Sequence, residues 1–131
     1  MIGLDTNILV RYIAQDDPSQ SRIAADLIER RLSEDDPGFV TVIAMVEIAW
    51  VLERSYGFSD AEIATTIERM LQIESLLIED EQDVFTAMTA LADGRGSFPD
   101  ALIGTRSARE GCTRILTFDR KALRLPGFEL P

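Results

Sequence analysis

Short apolar segments rich in β-forming residues alternate along the chain with longer segments of helical periodicity. The strand-like segments are Met1–Leu4, Phe39–Val42, Leu76–Ile78 and Arg114–Phe118. This alternation is typical of strand–helix–strand units, in which each helix carries the chain back so that successive strands run parallel. The sequence therefore predicts a single α/β domain over residues 1–131, with a central parallel sheet of about four to five strands and helices on both faces.

Local signals predict several helix boundaries. Pro18 directly follows Asp17, and this order suits a proline at the first helical position after an aspartate cap. Gly57 is expected to end the preceding helix in the left-handed conformation. Ser59 and Glu62 have the spacing of a capping box, which predicts that a new helix begins there.

The chain contains no histidine and a single cysteine, Cys112. This composition excludes histidine general bases, histidine-activated nucleophiles and a structural zinc site of the usual kind. If the chain is an enzyme, carboxylates, a lysine or a hard metal ion must carry the chemistry. The lone cysteine fits a reducing compartment, and we expect a cytoplasmic protein without a secretory leader or a membrane-spanning segment.

The formal net charge is −10, and the charge is unevenly distributed. Residues 1–94 contain 19 acidic and 6 basic side chains, whereas residues 95–131 contain 4 acidic and 7 basic ones. So acidic a chain is a poor general binder of nucleic acid, because lysine and arginine supply most of the affinity for phosphates. Bound divalent cations would change the local field, and the basic third of the chain would favour anions.

Asp5 and Asp119 each follow a predicted strand directly. The carboxyl ends of parallel strands meet at one edge of a sheet, where ligands usually bind. The alternative for each residue is a helix N-cap, which aspartate also favours. Together, at one sheet edge, the two carboxylates favour a functional site.

Glu47 interrupts the otherwise apolar segment from Val42 to Leu52. A buried carboxylate is costly unless it is paired or bound to a metal ion, so this position indicates a function. The alternative is an exposed stripe of an amphipathic helix. Neighbours one turn away, such as Ile43 and Val51, are apolar, and this argues against a polar stripe.

Asp100 follows a loop rich in glycine and proline, and either a helix N-cap or a functional carboxylate fits this place. The acids of Glu34–Asp36 and Glu79–Asp83 are expected to be solvated charges without a function.

Four carboxylates in one place would repel one another, by about 4 kcal/mol for two unit charges ~4 Å apart at intermediate dielectric. Cations or shared protons must balance them. Oxygen ligands alone select hard ions such as Mg²⁺ or Mn²⁺, and such ions can activate water for hydrolysis of a phosphodiester.

Four segments in this order resemble the motifs of PIN domains, and particularly VapC-type toxins of bacterial toxin–antitoxin pairs. They are the opening Met1–Tyr12, the helix around Glu47, the stretch Phe98–Ile103, and Ile115–Ala122. The resemblance implies a PIN-like fold and an endoribonuclease that hydrolyses phosphodiester bonds in RNA. It also implies a cognate antitoxin protein as partner and a homodimer.

The resemblance also implies roles for individual residues. The ligands of Mg²⁺ or Mn²⁺, and hence the catalytic residues, would be Asp5, Glu47, Asp100 and Asp119. Residues that orient these acids or bind substrate would be Thr6, Asn7, Ser97, Thr117 and Arg120. Ser97 occupies a position at which many relatives carry an acid, so the sequence does not determine whether one or two metal ions bind.

Two other functions fit parts of the sequence. One is a non-catalytic module of the same fold that acts only through its partner. The other is an aspartyl-phosphate receiver domain, which has a similar size and class. A receiver needs paired acids after the first strand, and the Asp5-Thr6-Asn7 sequence fits that poorly.

Overall fold

The structure is a computed structural model that describes all 131 residues, and the chain forms two compact units, Met1–Asp80 and Glu81–Pro131. The α/β class and the parallel strands that the sequence predicts are confirmed. The five strands are divided between a three-stranded sheet in the first unit and a two-stranded sheet in the second. The organisation as a single domain stays a prediction.

The first unit contains three strands, four α-helices and a π-helical turn. Their bounds are β1 (Ile2–Gly3), α1 (Thr6–Ala14), α2 (Pro18–Asp26), the π-helical turn (Leu27–Arg31), β2 (Gly38–Val40), α3 (Val42–Tyr56), α4 (Asp60–Leu71) and β3 (Leu76–Ile78). The strands have the spatial order β1-β2-β3, and both neighbouring pairs are parallel.

Gly38 allows the central strand of this sheet to pack closely. A Cβ atom at this position would be 2.6 Å from Leu4 Cδ1 and 2.8 Å from Leu32 Cδ1. Both leucines are buried, so any larger residue at position 38 would push against the core. Two residues later in β2, Val40 is fully buried.

The predicted helix boundaries in this unit are confirmed. Asp17 is the N-cap of α2 and Pro18 is its first residue. Gly57 ends α3 in the left-handed conformation with φ +67°. Ser59 and Glu62 form both hydrogen bonds of a capping box at the start of α4.

The second unit contains two α-helices, a 3₁₀ helix and two strands. Their bounds are α5 (Glu81–Ala92), α6 (Phe98–Arg109), β4 (Ile115–Leu116), the 3₁₀ helix (Arg120–Arg124) and β5 (Phe128–Glu129). Strand β4 is shorter than the predicted Arg114–Phe118, because Thr117 begins a turn. Strand β5, parallel to β4, was not predicted, since its pairing depends on a partner distant in sequence.

Gly104 explains how the end of the chain packs in the second unit. A Cβ atom on this α6 residue would be 2.8 Å from Cε2 of Phe128, the first residue of β5. Glycine in a helix interior costs about 1 kcal/mol relative to alanine, and here it allows an aromatic ring to lie against the helix.

Asp83 corrects an expectation from the sequence. It was expected to be a solvated charge, but its side chain on α5 is buried, with 7% of the residue exposed. Arg109 Nη2 is 2.8 Å from Asp83 Oδ2, and Arg106 Nη1 is 3.9 Å away. Oδ2 accepts no well-directed hydrogen bond, so ion pairing compensates its charge. Sequence could not show that two arginines of α6 face this position.

No helix of the structure combines the length and the apolar composition that are needed to cross a membrane.

Candidate functional site

Asp5 lies two residues after β1 and is the N-cap of α1. Its Oδ1 accepts a hydrogen bond from the Thr6 backbone N–H at 2.8 Å. The residue is exposed, and its second carboxylate oxygen accepts no hydrogen bond. The cap that was weighed as an alternative is therefore present, and it leaves one oxygen available to a ligand.

The Thr6 hydroxyl is an orphaned group beside this carboxylate. Thr6 is 8% exposed, and its buried Oγ1 has no hydrogen-bond partner. Thr6 contacts Asp5 through its backbone amide, and the hydroxyl takes no part in that bond. Asn7 is exposed, and its side chain makes no hydrogen bond. Buried hydroxyls without a partner are uncommon, and one next to Asp5 fits a place where a water or a ligand completes the bonding.

Glu47 is exposed, so the expectation that it is a buried carboxylate is wrong. It lies on one stripe of α3 with Ile43, Trp50 and Arg54, in which Ile43 is 69% and Trp50 51% exposed. The guanidinium of Arg54 stacks over the Trp50 ring, with Cζ 4.4 Å from its centroid. Because this stripe contains apolar residues, the sequence suggested that it is buried, although it is exposed. Hydrophobicity alone does not reveal which side of a helix packs against the core.

The core face of α3 is a different stripe. Its buried residues are Ala44, Met45, Ile48, Ala49 and Leu52. The Glu47 side chain makes no hydrogen bond or ion pair, so its carboxylate is available to a ligand. Its functional role stays a prediction.

In the first unit, the chain after each strand end carries an acid. Asp5 follows β1, and α3, which carries Glu47, begins two residues after the parallel neighbour β2. Glu79 follows β3, and its Oε1 accepts a hydrogen bond from the Val42 N–H at 2.9 Å. Glu79 therefore caps the N-terminus of α3. This structural role replaces the solvated charge that the sequence led us to expect.

Asp100 is the third residue of α6, so it is not the helix N-cap that was weighed as an alternative. Ser97 is the N-cap, and its Oγ accepts a hydrogen bond from the Asp100 N–H at 3.2 Å. Serine caps as well as aspartate does, and Pro99 fits the first helical turn, so the helix begins earlier than expected. The half-buried Asp100 side chain makes no hydrogen bond or ion pair.

Asp119 is the N-cap of the 3₁₀ helix that follows β4. Its Oδ1 accepts a hydrogen bond from the Lys121 N–H at 2.9 Å, and the Thr117 hydroxyl accepts one from the Asp119 N–H at 2.9 Å. Thr117 therefore fixes the backbone of Asp119, whose second oxygen has no partner. Arg120 is exposed, and its side chain makes no ion pair.

The four predicted ligands are distributed over both units. Asp5 and Glu47 belong to the first unit, and Asp100 and Asp119 to the second. Neither unit by itself gathers three or more carboxylates into a group that could hold a metal ion. Their action as one site stays a prediction.

The chemistry of the four side chains fits a hard cation. None of them is paired with a lysine or arginine, in contrast to Asp16 and Asp83, and all offer oxygen donors. Asp5 and Asp119 are each held by a backbone amide, so a ligand there would meet a carboxylate that is already oriented.

The family model of the PIN domain matches residues 2–127. The chain belongs to the PIN domain family. PIN domains are generally nucleases, and PIN nucleases typically use divalent metal ions. A comparison with curated proteins found no match.

Sequence reasoning missed one exposed side chain of this PIN domain. Phe118, directly before Asp119, is 89% exposed, although its position in an apolar segment suggested a strand. The signal that could have revealed it is the Thr117-x-Asp119 spacing. A threonine hydroxyl that accepts from the amide two residues later makes a turn, and the turn ends the strand before Phe118.

Proposed function

We propose that this PIN domain is a Mg²⁺- or Mn²⁺-dependent endoribonuclease, the toxin of a VapC-type toxin–antitoxin pair, acting in the cytoplasm. The observation that carries the proposal is the carboxylate of Asp5. It follows the first strand, is fixed by one oxygen to a backbone amide, and keeps its other oxygen without a partner. An oriented and unpaired carboxylate in a PIN domain is suited to binding a hard cation.

The residues proposed to hold the ion are Asp5, Glu47, Asp100 and Asp119. When bound, the ion would activate water and neutralise charge on the phosphoryl oxygens. The carboxylates of Asp5 and Asp119 are already oriented, because each accepts a hydrogen bond from a backbone amide. Glu47 and Asp100 offer carboxylates that are free of competing cations.

The proposed substrate, RNA, must approach a chain of net charge −10. Arg120 and Lys121 are exposed, and neither makes an ion pair within the structure. They are the two residues that follow Asp119 in the sequence, so they are suited to bind the phosphates that flank the cleaved bond. Cations held by the four acids would further reduce repulsion.

The proposed protein partners are a cognate antitoxin and a second copy of the chain. The exposed Ile43 and Trp50 on α3 support an interaction of this kind, since aromatic and aliphatic residues are typical of interface cores. Arg54 over Trp50 adds a cation at the same place.

The test is cleavage of structured RNAs by purified protein with Mg²⁺ or Mn²⁺, and then with a chelator. We expect cleavage that the chelator abolishes and that Asp5→Asn loses. Asp17→Asn is the matched control, because Asp17 is also a helix N-cap of the first unit and has no proposed function. Asparagine can keep both caps and each variant loses one negative charge, so the two variants differ in the place from which the charge is removed.

Two outcomes would overturn the proposal. Cleavage that survives both the chelator and Asp5→Asn would show that another site or a contaminant is responsible. No cleavage of any RNA by a protein that still binds its partner would favour the non-catalytic module.

A further inference from the structure

Phe118 is the most exposed of the large apolar side chains, with 89% of the residue accessible. The turn around it is fixed on both sides. Thr117 Oγ1 accepts from the Asp119 N–H at 2.9 Å, and Asp119 Oδ1 accepts from the Lys121 N–H at 2.9 Å. The ring is therefore presented to solvent by an ordered backbone, and it forgoes the stabilisation that burial would give.

The sequence next to the ring is cationic. Arg120 and Lys121 follow Asp119 in the 3₁₀ helix, both are exposed, and neither is in an ion pair. Arg124, at the end of that helix, makes only a long hydrogen bond of 3.4 Å to the Gly94 carbonyl. An apolar protein surface that covered Phe118 would have to desolvate these charges without compensation.

A nucleotide matches this combination, because it offers an aromatic face and an anionic phosphate together. Single-stranded nucleic acids bind in this way to many proteins, with bases stacked on aromatic rings and phosphates on arginine or lysine. We propose that Phe118 stacks on an unpaired base of the RNA, next to the phosphate at the metal ion that Asp119 is proposed to hold. This inference rests on the proposed nuclease function and adds a substrate-binding residue to it.

The geometry also determines which RNA can bind. A ring can stack on the face of a base only when that base is unstacked on at least one side, as in single strands and loops. Every base has such a face, so Phe118 would favour unpaired nucleotides without selecting one sequence. Pairing of the target nucleotide should therefore reduce cleavage, whatever the identity of the base.

The experiment compares Phe118→Ala with Phe118→Trp and with Phe85→Ala. Phe85 is the matched control, since it is 50% exposed in the same unit but lies on α5. Loss of one stacked base should lower kcat/KM by about 5- to 150-fold in Phe118→Ala. Phe118→Trp should keep kcat/KM within a few-fold, because it keeps an aromatic face, and Phe85→Ala should leave it unchanged.

A binding measurement separates this inference from the nuclease proposal. Short RNAs that carry 2-aminopurine at successive positions are titrated with protein in the Asp5→Asn background. Stacking quenches the fluorophore, so we expect quenching at one unpaired position and its loss in Phe118→Ala. If wild-type protein cleaves no RNA but quenching still depends on Phe118, the base contact is supported and the nuclease proposal fails.

Two results would overturn the base contact. The first is equal cleavage and quenching by Phe118→Ala and Phe85→Ala. The second is a change in oligomeric state, measured by analytical ultracentrifugation, that Phe118→Ala causes and that accounts for its lost activity. Phe118 would then contact a second copy of the chain.

Discussion

Tyr56 donates a hydrogen bond of 2.6 Å to Asp16 Oδ2, and so joins the last residue of α3 to the segment between α1 and α2. Arg11 Nη1 is 3.1 Å from the Tyr56 hydroxyl and from Asp16 Oδ1. The hydrogen bond from Tyr56 is the main reason that the pKa of Asp16 is below its ordinary value, and the charge of Arg11 contributes. The same bond raises the pKa of the Tyr56 phenol.

The first prediction is the pH dependence of Tyr56→Phe. Because folding lowers the pKa of Asp16, its contribution to stability is present above the ordinary pKa of an aspartate and is lost as pH falls through the folded value. Removal of the hydroxyl should therefore destabilise the protein at pH 7, and much less near pH 2. The measurements are urea unfolding at both pH values and an NMR titration of the Asp16 carboxyl, whose pKa should rise in the variant. An equal loss of stability at both pH values would contradict this account.

The second prediction concerns the buried carboxylate of Asp83. Arg109→Ala would leave that buried charge with Arg106 at 3.9 Å, so the free energy of unfolding should fall by about 1–3 kcal/mol. Arg114→Ala is the control, because the Arg114–Glu129 pair is largely exposed and should contribute less than about 1 kcal/mol. Urea unfolding gives both values, and equal losses would refute the distinction.

The third prediction separates two exposed acids of α3. Glu47→Gln should lower RNA cleavage by about 10²-fold or more, since it removes a proposed ligand charge, whereas Glu53→Gln should have no effect. Both side chains are exposed, so both variants should keep their stability within about 0.5 kcal/mol. Rates of cleavage with Mg²⁺ and thermal unfolding are the measurements. Full activity of Glu47→Gln would remove this residue from the site.

The fourth prediction concerns the proposed phosphate contacts of Arg120 and Lys121. If each contacts one phosphate, either alanine variant should make the salt dependence of log affinity shallower by about 0.7 per contact. Arg114→Ala should leave the slope unchanged, because Glu129 already holds that guanidinium at 3.0 Å. The measurement is RNA binding over a series of salt concentrations, and unchanged slopes in both variants would place the phosphates elsewhere.

Local signals in the sequence predicted much of the secondary structure. Asp17 with Pro18, Gly57, and the Ser59 capping box act through neighbouring backbone groups, so their effect is visible without the fold. The position of Asp5 after a strand followed from periodicity alone. The resemblance of four segments predicted a PIN domain, and the match over residues 2–127 confirms this prediction.

What the sequence did not reveal depends on contacts between distant residues. Strand β5 pairs with β4, and the buried Asp83 is paired with an arginine of α6, so both features involve partners outside the local sequence. Glu47 was expected to be buried because its neighbours are apolar, but Ile43 and Trp50 are themselves exposed. The exposed ring of Phe118 was missed for a local reason, because the turn between Thr117 and Asp119 ends the strand before it.

The most direct test of the proposed metal site measures Mn²⁺ binding by electron paramagnetic resonance or calorimetry. The proteins compared are wild type, Asp5→Asn and Asp17→Asn. We expect wild type and Asp17→Asn to bind Mn²⁺ alike, with Mg²⁺ as a competitor, and Asp5→Asn to bind at least about tenfold more weakly. Equal affinity of all three proteins would show that the carboxylate after the first strand holds no metal ion, and the proposed site would be wrong.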